Sequence, residues 1–180
     1  MSADAGNELV DVVDDEGRVV RTATRREVRV LGLPHRCVYV LVFNRRGDLF
    51  VHLRTATKDV FPSHWDVAVG GVLAAGESFD AAAAREGSEE LGVELAPEPL
   101  FPFRYAGKRT VAHGMVYRAV HDGPFRLQVE EVVRGDFQPI AEALTRAEVV
   151  PFCPDGLAVL REYLRRHGAR PDLAARRNDL

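Results

Sequence analysis

The 180-residue chain has few cysteines and no long apolar run, and both shortages exclude classes of protein. Its two cysteines, Cys37 and Cys153, stand far apart, without the close spacing of a zinc site, and suit a reducing compartment. No stretch approaches the roughly 20 apolar residues that span a membrane, and the acidic N-terminus lacks the pattern of a secretion signal. We therefore expect a cytoplasmic protein without a structural zinc ion or a membrane partner.

Surplus positive charge is lacking as well. The chain carries 24 basic and 27 acidic residues, a formal net charge of −3, whereas binding a phosphate backbone requires an excess of cations. A nucleic-acid polymer is therefore not an expected partner. The chain also has no internal repeat and no flexible linker, so we predict a single domain over residues 1–170 and a basic tail at 171–180.

Strand and helix patterns interleave along the chain. The segment ELVDVVDDEGRVVRTATRREV predicts an N-terminal hairpin around an acidic turn. Period-two apolar patterns predict strands in HRCVYVLVFNRRGDLFVHLRT and near Leu100 to Tyr105, Val111 to Val120 and Phe125 to Val133. Helical patterns run from Ser78 to Leu91 and from Pro154 to His167. The fold class is therefore α/β or α+β.

The first of these helices concentrates acidic residues. Ser78 is a typical helix cap and Gly92 a typical stop. Glu86, Glu89 and Glu90 lie at positions that share one helical face, where their charges repel unless a cation lies between them. Clustered oxygen ligands are those that Mg²⁺ or Mn²⁺ prefers. A solvated acidic stripe on a surface helix is the alternative explanation for the triplet alone.

The spacing of the residues around these three glutamates helps to decide between a metal site and a solvated acidic stripe. Five residues separate Gly71 from Glu77, and seven more precede a cluster that reads Arg85-Glu86, two residues, Glu89-Glu90, one residue, Gly92-Val93. This pattern resembles the Nudix box of the Nudix hydrolase superfamily, and a chance match at a given start has a probability on the order of 10⁻⁸. The resemblance implies the Nudix fold, a mixed sheet sandwiched between helices.

One position of the box differs from the family pattern. Gly87 stands where the box has an aliphatic residue. A helical glycine costs ~1 kcal/mol of helix propensity, and the missing side chain is expected to leave a gap on the buried side of the helix.

The resemblance also implies roles for individual residues. Glu86, Glu89 and Glu90 are expected to bind divalent ions, with the backbone carbonyl of Gly71 completing the shell. Arg85 is expected to hold a carboxylate and to pair with Glu77, which would fix the incoming loop; a solvent-exposed ion pair is the alternative. Such a site suits attack by water on a phosphoanhydride, with a nearby carboxylate accepting the proton.

A second acidic pair, Glu130-Glu131, follows the segment PFRLQV. Nudix enzymes often carry an additional metal ligand or base on a later loop at about this place. We therefore take Glu131 as a catalytic candidate ahead of Glu130, while a solvated turn explains both residues equally well.

The resemblance to the superfamily covers roughly residues 10–93, and within it residues 33–78 look like the isopentenyl-diphosphate isomerase-like branch, which includes both isomerases and hydrolases. Arg54 and Lys58 match positions that hold the diphosphate of the isomerase substrate, although an ordinary basic loop would look the same. The isomerases have a Cys-Gly-His segment ahead of the box, where this chain has Gly70, Gly71 and Val72.

Three further residues have both a structural and a functional interpretation. His35 matches a metal-binding histidine of the isomerases, but without its partners a core or strand-end position is expected. Phe61 and Trp65 could stack on a base, yet aromatic residues in a short apolar run are more often part of the core.

These observations favour a Mg²⁺- or Mn²⁺-dependent hydrolase that cuts a diphosphate linkage in a nucleoside diphosphate derivative or related small molecule. An isopentenyl-diphosphate isomerase and a catalytically silent nucleotide-binding module are the alternatives. Many Nudix enzymes pair into dimers, so a homodimer formed through the early hairpin is compatible with the sequence. The box recognises phosphate and metal, and it leaves the identity of the substrate open.

Overall fold

The computed structural model describes residues 5–108 and 110–168. The basic tail predicted at 171–180 lies outside these residues. The described part contains a short 3₁₀ turn at Ala5–Asn7 followed by eight strands and four α-helices: β1 Leu9–Val13, β2 Val19–Thr24, α1 Arg25–Leu31, β3 His35–Phe43, β4 Leu49–Arg54, β5 Trp65–Asp66, α2 Phe79–Leu91, β6 Glu98–Ala106, β7 Val111–Val120, β8 Val132–Gln138, α3 Ile140–Arg146 and α4 Pro154–His167.

The strands form one mixed sheet in which β3 is central. Strand β3 pairs in parallel with β7 and antiparallel with β1 and β4. The remaining pairs, β1 with β2, β4 with β5 and β8, and β6 with β7, are all antiparallel. Within the described residues, no helix is long and apolar enough to cross a membrane.

Helices cover both faces of this sheet because the side chains of β3 alternate between them. Cys37, Tyr39, Leu41 and Phe43 pack on the face that carries α4, against residues that include Leu160 and Tyr163. Val38, Val40 and Val42 pack on the opposite face, against Ala82, Ala83 and Leu91 of α2. The predicted α+β fold, a mixed sheet sandwiched between helices, is confirmed.

The N-terminal hairpin is also confirmed, but its second strand is shorter than predicted. Strand β2 ends at Thr24, whose side chain accepts a hydrogen bond of 3.2 Å from the Glu27 backbone N–H and so caps α1. Residues 25–31 are therefore helical rather than extended. The segment Thr24-Arg25-Arg26-Glu27 has the form of a capping box, a local pattern that predicts a helix start.

The strand predicted from Phe125 to Val133 is wrong in most of its length. Residues 121–128 are irregular, 129–131 form a turn, and β8 begins only at Val132. The backbone N–H groups of Arg126 and Gln128 instead donate to the carbonyls of Leu91 and Glu90 at the end of α2, at 2.8 and 3.0 Å. Those tertiary hydrogen bonds outweigh the local preference for a strand.

The expected gap at Gly87 is absent, because Leu95 occupies the space. A Cβ atom added at position 87 would lie 2.6 Å from the Leu95 Cδ1 atom. Leu95 is buried in the same cluster as Ala83 and Leu91. The glycine and the leucine therefore complement each other in shape, and the apolar contact is supplied from outside the helix.

We predict that Gly87→Ala lowers the free energy of unfolding by about 1 kcal/mol, since overpacking costs about 1–3 kcal/mol and the gain in helix propensity offsets about 1 kcal/mol. In a Leu95→Ala background the same substitution should be stabilising. Urea denaturation of the two single variants and the double variant measures both effects. A destabilisation of equal size in both backgrounds would contradict the steric explanation.

A buried histidine in β4 links stability to pH. The side chain of His52 is buried, its ring centroid lies 5.9 Å from that of Phe50, and its Nδ1 atom has no hydrogen-bond partner within the described residues. Burial, reinforced by the nearby charges of Arg54 and Lys58, lowers the pKa of His52 to about 3 from its ordinary value of 6.5. The folded protein therefore keeps this imidazole neutral at pH values where the unfolded chain protonates it.

Below pH 6.5 this difference favours the unfolded chain, until the folded imidazole itself titrates near pH 3. We predict that His52→Gln, which is neutral throughout, gains about 2 kcal/mol of stability relative to the native chain between pH 7.5 and pH 5. Chemical denaturation of both proteins at the two pH values tests this. The other titrating groups cancel in the comparison. A constant stability difference would show that His52 is protonated in the folded state.

Candidate active site

Helix α2 and the loop before it form an acidic site on one face of the sheet, next to the central strand β3. The helix starts after Ser78, whose hydroxyl accepts from the Ala81 N–H, and ends at Gly92 in a left-handed conformation. A Cβ atom at Gly92 would lie 2.7 Å from the Arg126 carbonyl oxygen, so both the backbone angle and the space require glycine. The predicted limits of this helix are confirmed.

The three glutamates of the helix face different surroundings. The Glu89 side chain is 52% exposed, whereas that of Glu86 is 8% exposed and Glu90 is 2% exposed. Burial raises the pKa of Glu86, and burial together with the charge of Glu86 raises that of Glu90 well above its ordinary value. The Glu90 Oε2 atom is buried without a hydrogen-bond partner within the described residues. The predicted single cluster is thus a buried pair and an exposed neighbour.

Arg85 is the cation that lies among these carboxylates. Its Nη1 atom donates to Glu86 Oε1 at 2.9 Å and to Glu89 Oε2 at 3.0 Å. Its Nε and Nη2 atoms form the predicted pair with Glu77, at 2.8 and 3.0 Å. Glu77 also accepts from the Ala74 N–H at 2.9 Å, and the Arg85 hydrogen bonds lower its pKa. The guanidinium therefore ties the glycine loop to two helix carboxylates.

Gly71 lies directly against this site. A Cβ atom there would be 2.4 Å from Glu86 Oε1, so any other residue would displace the carboxylate. The Gly71 carbonyl accepts the Val38 N–H at 3.0 Å, which leaves a second lone pair available. Among the residues that the structure describes, no three His, Cys, Asp or Glu side chains converge closely enough to hold a metal ion as they stand. Arg85 instead pairs with two of the predicted ligands, Glu86 and Glu89.

Glu131, and not Glu130, interacts electrostatically with buried Glu90. Lys58 Nζ forms a close ion pair with Glu131 Oε2. Burial alone would raise the pKa of Glu131, but the charge and hydrogen bond of Lys58 lower it below its ordinary value. The charge of Glu131 in turn helps to raise the pKa of Glu90. Glu130 is exposed, and its carbonyl accepts from the Thr55 hydroxyl at 3.0 Å.

Arg54 is held at the end of β4 with part of its hydrogen-bonding capacity unused. Its Nη2 atom donates to the Val60 carbonyl at 3.1 Å, and its Nη1 atom lies 3.8 Å from Asp66 Oδ2. Its Nε atom is buried and has no partner within the described part of the chain. Burial opposes the charge of Arg54, but nearby carboxylates, Asp66 first, raise its pKa, so the cation persists.

A cavity of about 130 Å³ adjoins this site. Gly70 and Gly71 line it together with Arg54 and Lys58, the two predicted phosphate ligands. Helix α1 adds two cations that sequence reasoning did not assign to the site, Arg25 and Arg29. Arg25 pairs with Glu8 at 2.9 Å, and Arg29 forms a close ion pair with Asp59. The capping box at Thr24 could have revealed the helix, but not its position over the cavity.

The structure shows where the three residues with both a structural and a functional interpretation lie. His35 is buried at the start of β3, its Nδ1 atom lies 2.9 Å from the Leu33 carbonyl oxygen, and burial lowers its pKa, as a strand-end histidine predicts. Trp65 is a core residue, with Phe152 and the Arg146 guanidinium against its ring. Phe61 lines the cavity, contrary to the expectation that it belongs to the core.

The fold and this acidic helix define a class of protein, the hydrolases that cleave diphosphate linkages on a mixed sheet between helices. Comparison with known proteins agrees. A model of the NUDIX domain family matches residues 33–155. The chain belongs to this family.

Two relatives and one solved structure extend the match beyond the domain. An uncharacterised Nudix hydrolase of Streptomyces coelicolor is 44% identical over 157 residues, which are 86% of this chain and 87% of the relative. A second uncharacterised Nudix hydrolase, from Pseudomonas aeruginosa, is 41% identical over 160 residues, which are 87% of this chain and 94% of the relative. The crystal structure of DR0079 from Deinococcus radiodurans aligns with a TM-score of 0.75 and 28% identity over 88% of this chain and 98% of that one. The protein is a pyrophosphohydrolase of the Nudix type.

We predict that Arg85→Lys lowers the free energy of unfolding by about 1–2 kcal/mol, since an ammonium cannot reproduce the bidentate pair with Glu77 and reach two further carboxylates. Arg165→Lys is the matched control. Arg165 makes a similar two-point contact with Glu162, but its side chain is 66% exposed. Loss of this exposed contact should lower the free energy of unfolding by less than about 0.5 kcal/mol. Equal effects of both substitutions on urea denaturation would show that the Arg85 network stabilises the fold no more than an exposed ion pair does.

Proposed function

We propose that this protein hydrolyses a diphosphate linkage in a nucleoside diphosphate derivative or related small molecule, with Mg²⁺ or Mn²⁺ as cofactor. The observation that carries the proposal is the buried Glu90 carboxylate, which stands beside buried Glu86 with an unpartnered oxygen. An ionised carboxylate in that position is costly unless a cation compensates it. Raised pKa values for both residues are the expected signature of a missing positive charge.

The donor set fits a hard divalent cation. Glu86, Glu89, Glu90 and the Gly71 carbonyl would hold it, and all of them supply oxygen, the ligand atom that Mg²⁺ and Mn²⁺ prefer. A bound ion of this kind neutralises charge on the phosphate oxygens and lowers the pKa of water. Arg85 keeps Glu86 and Glu89 in place and, through Glu77, fixes the loop that carries Gly71.

The other residues supply phosphate binding and proton transfer. Arg54 and Lys58 would bind the diphosphate, because both line the cavity that reaches Gly71. An anionic phosphate competes with Glu131 for Lys58, so substrate binding would free the Glu131 carboxylate. In the free protein the Lys58 pair lowers the pKa of Glu131. Loss of that pair would raise this pKa and so make Glu131 a stronger acceptor for a proton from water.

The isomerase alternative finds no support at position 70. A Cβ atom on Gly70 would lie 2.1 Å from the Val38 carbonyl oxygen, so this backbone has no room for the cysteine that the isomerases carry there. Our proposal that this chain lies within the isomerase-like branch therefore rests on the resemblance of residues 33–78 as a whole. The silent-module alternative relied on Gly87, and Leu95 fills the space beside that residue.

We infer a single domain over residues 1–170, supported by the one sheet that joins the hairpin to the remaining strands. A cytoplasmic location is supported by Cys37 and Cys153, which are both free and buried. Exposed Val19 and Val20 on the edge strand β2 are compatible with a homodimer through the hairpin.

We predict that Glu90→Gln lowers kcat by at least about 10³-fold at saturating Mg²⁺, because the amide removes the buried negative charge that holds the cation. The assay is release of phosphate or nucleoside monophosphate from a panel of nucleotides, with and without EDTA. Glu94→Gln, an exposed glutamate just beyond the helix, is the matched control and should retain native activity. Native rates in Glu90→Gln would refute the assignment of this site.

A further inference from the structure

Lysine is rare in this chain, and one of its two lysines lies in the cavity beside the acidic helix. Lys58 and Lys108 are the only lysines among 24 basic residues. The side chain of Lys58 is 20% exposed and lines the cavity, whereas Lys108 is exposed in the loop after β6 and does not line it. An amine that loses its proton is a nucleophile, while a guanidinium stays charged. Lys58 therefore gives this cavity a nucleophilic amine.

Three arginines surround this amine with positive charge. Arg25, Arg29 and Arg54 line the same cavity. Burial would raise the pKa of Glu131, but the charge of Lys58 and those of two of these arginines lower it. Burial, together with the charges of the other two arginines, lowers the pKa of Arg29 to about 10, while the charge of Glu131 acts in the opposite direction. All four cations thus act on one carboxylate, so an anion that enters the cavity meets them as a group.

Glu131 lies where it can take a proton from the Lys58 nitrogen. Lys58 Nζ forms a close ion pair with Glu131 Oε2, and the Glu131 side chain is 33% exposed. The Thr55 N–H donates to the Glu131 carbonyl at 3.0 Å, which fixes this residue beside the end of β4. When an amine attacks a carbonyl carbon, its nitrogen must lose a proton before a stable amide forms. An adjacent carboxylate accepts such a proton.

These features select one class of reagent. The arginines require an anionic group, and the amine requires an electrophilic carbon within reach of it. The volume of the cavity is about 130 Å³. An apolar cavity of about 150 Å³ accommodates benzene, so only a small molecule fits here. Acyl phosphates with a short acyl chain, which are mixed anhydrides of a carboxylic acid and phosphoric acid, combine the two groups at this size.

We propose that Lys58 is a site of covalent acylation by small acyl phosphates, whose phosphate group binds to the arginines of the cavity while their carbonyl carbon faces the amine. The uncharged amine attacks this carbon, a C–N bond forms, and the C–O bond to the phosphate breaks. Phosphate leaves with the electron pair of that bond, and Glu131 takes the proton from the nitrogen. The product is an uncharged amide, so the ion pair between Lys58 and Glu131 is lost.

Acylation at this position inhibits the hydrolase, a consequence that rests on the proposed function. Loss of the charge removes one of the two residues assigned to phosphate binding. The acyl group also occupies part of the cavity. A cell that accumulates acyl phosphates would thereby lower the activity of this protein without any change in its amount.

The first test compares the two lysines of the native protein with two acyl donors. Acetyl phosphate carries the anionic group, whereas the N-hydroxysuccinimide ester of acetic acid does not. Peptide mapping by mass spectrometry follows acetylation of each lysine with time. We expect acetyl phosphate to modify Lys58 at least about tenfold faster than Lys108, because binding raises the local concentration of the acyl group. We expect the neutral ester to prefer exposed Lys108. The same preference with both donors would overturn the proposal.

The second test removes a phosphate ligand. Arg29→Gln should slow acetylation of Lys58 by acetyl phosphate about tenfold and leave Lys108 unaffected. Arg26→Gln, at an exposed position of the same helix that does not line the cavity, is the matched control and should change neither rate. Inorganic phosphate added to the native protein competes for the same cations and should slow the reaction at Lys58 alone. Native rates in Arg29→Gln, without protection by phosphate, would contradict the binding step; circular dichroism confirms that each variant is folded.

A third measurement separates the modification from the hydrolase activity. Native protein is sampled during acetylation by acetyl phosphate, and its activity on a panel of nucleotides is compared with the fraction of Lys58 modified. Activity that falls in step with this fraction, and survives acetylation of Lys108 by the neutral ester, supports the inhibitory role. Selective acetylation of a protein that cleaves no diphosphate supports the modification site and contradicts the hydrolase. Active hydrolysis without selective acetylation leaves the enzyme assignment intact and overturns the modification site.

Discussion

The contacts of one guanidinium, that of Arg85, hold the candidate active site together. Arg85 joins Glu77, in the loop before α2, to Glu86 and Glu89 within the helix. Without it, the loop that carries Gly71 would be fixed mainly by its backbone hydrogen bonds, and the helix carboxylates would repel one another. A planar group with five donors suits this task, because it can satisfy several carboxylate oxygens in one plane. The position of Gly71 against Glu86 depends on this arrangement.

The same principle of paired charges extends through the cavity. Arg25 pairs with Glu8, Arg29 with Asp59, and Lys58 with Glu131, while Arg54 lies near Asp66. These cations are therefore neutralised locally, and under the proposed function a phosphate would have to compete with carboxylates to reach them. Such competition would make binding selective for ligands of high negative charge, because only these would replace the favourable electrostatic energy of the ion pairs that binding breaks. A diphosphate meets that requirement better than a monoanion does.

Local patterns were sufficient to predict the parts of the molecule that depend on local interactions. Ser78 and Gly92 marked the limits of α2 because capping and left-handed glycine act within one turn of helix. The pair of Glu77 and Arg85 was implied by the resemblance to the Nudix box, and the structure contains it. The segment from 125 to 131 could not be predicted in this way, since its backbone is held by the carbonyls of Glu90 and Leu91, which belong to another element.

The residues that line the cavity show that sequence-based prediction of a binding site has the same limit. Arg54 and Lys58 were found because a family resemblance points to them, whereas Arg25, Arg29 and Asp155 come from segments that only the folded chain brings together. The packing of Leu95 beside Gly87 is a further case, because residues of different segments that fit each other in shape produce no periodic pattern in the sequence. Side chains that a fold assembles from distant segments are the ones that sequence patterns miss.

The hydrogen bonds from Arg126 and Gln128 to the last carbonyls of α2 have one further consequence. They attach the loop that ends at Glu131 to the turn of helix that carries Glu90. The separation of these two acids is therefore set by main-chain bonds rather than by side-chain rotation alone. Insertions within residues 126–131 would alter the distance between the acids even if both were retained, so the proposed chemistry would depend on the length of this connection as well as on the residues at its ends.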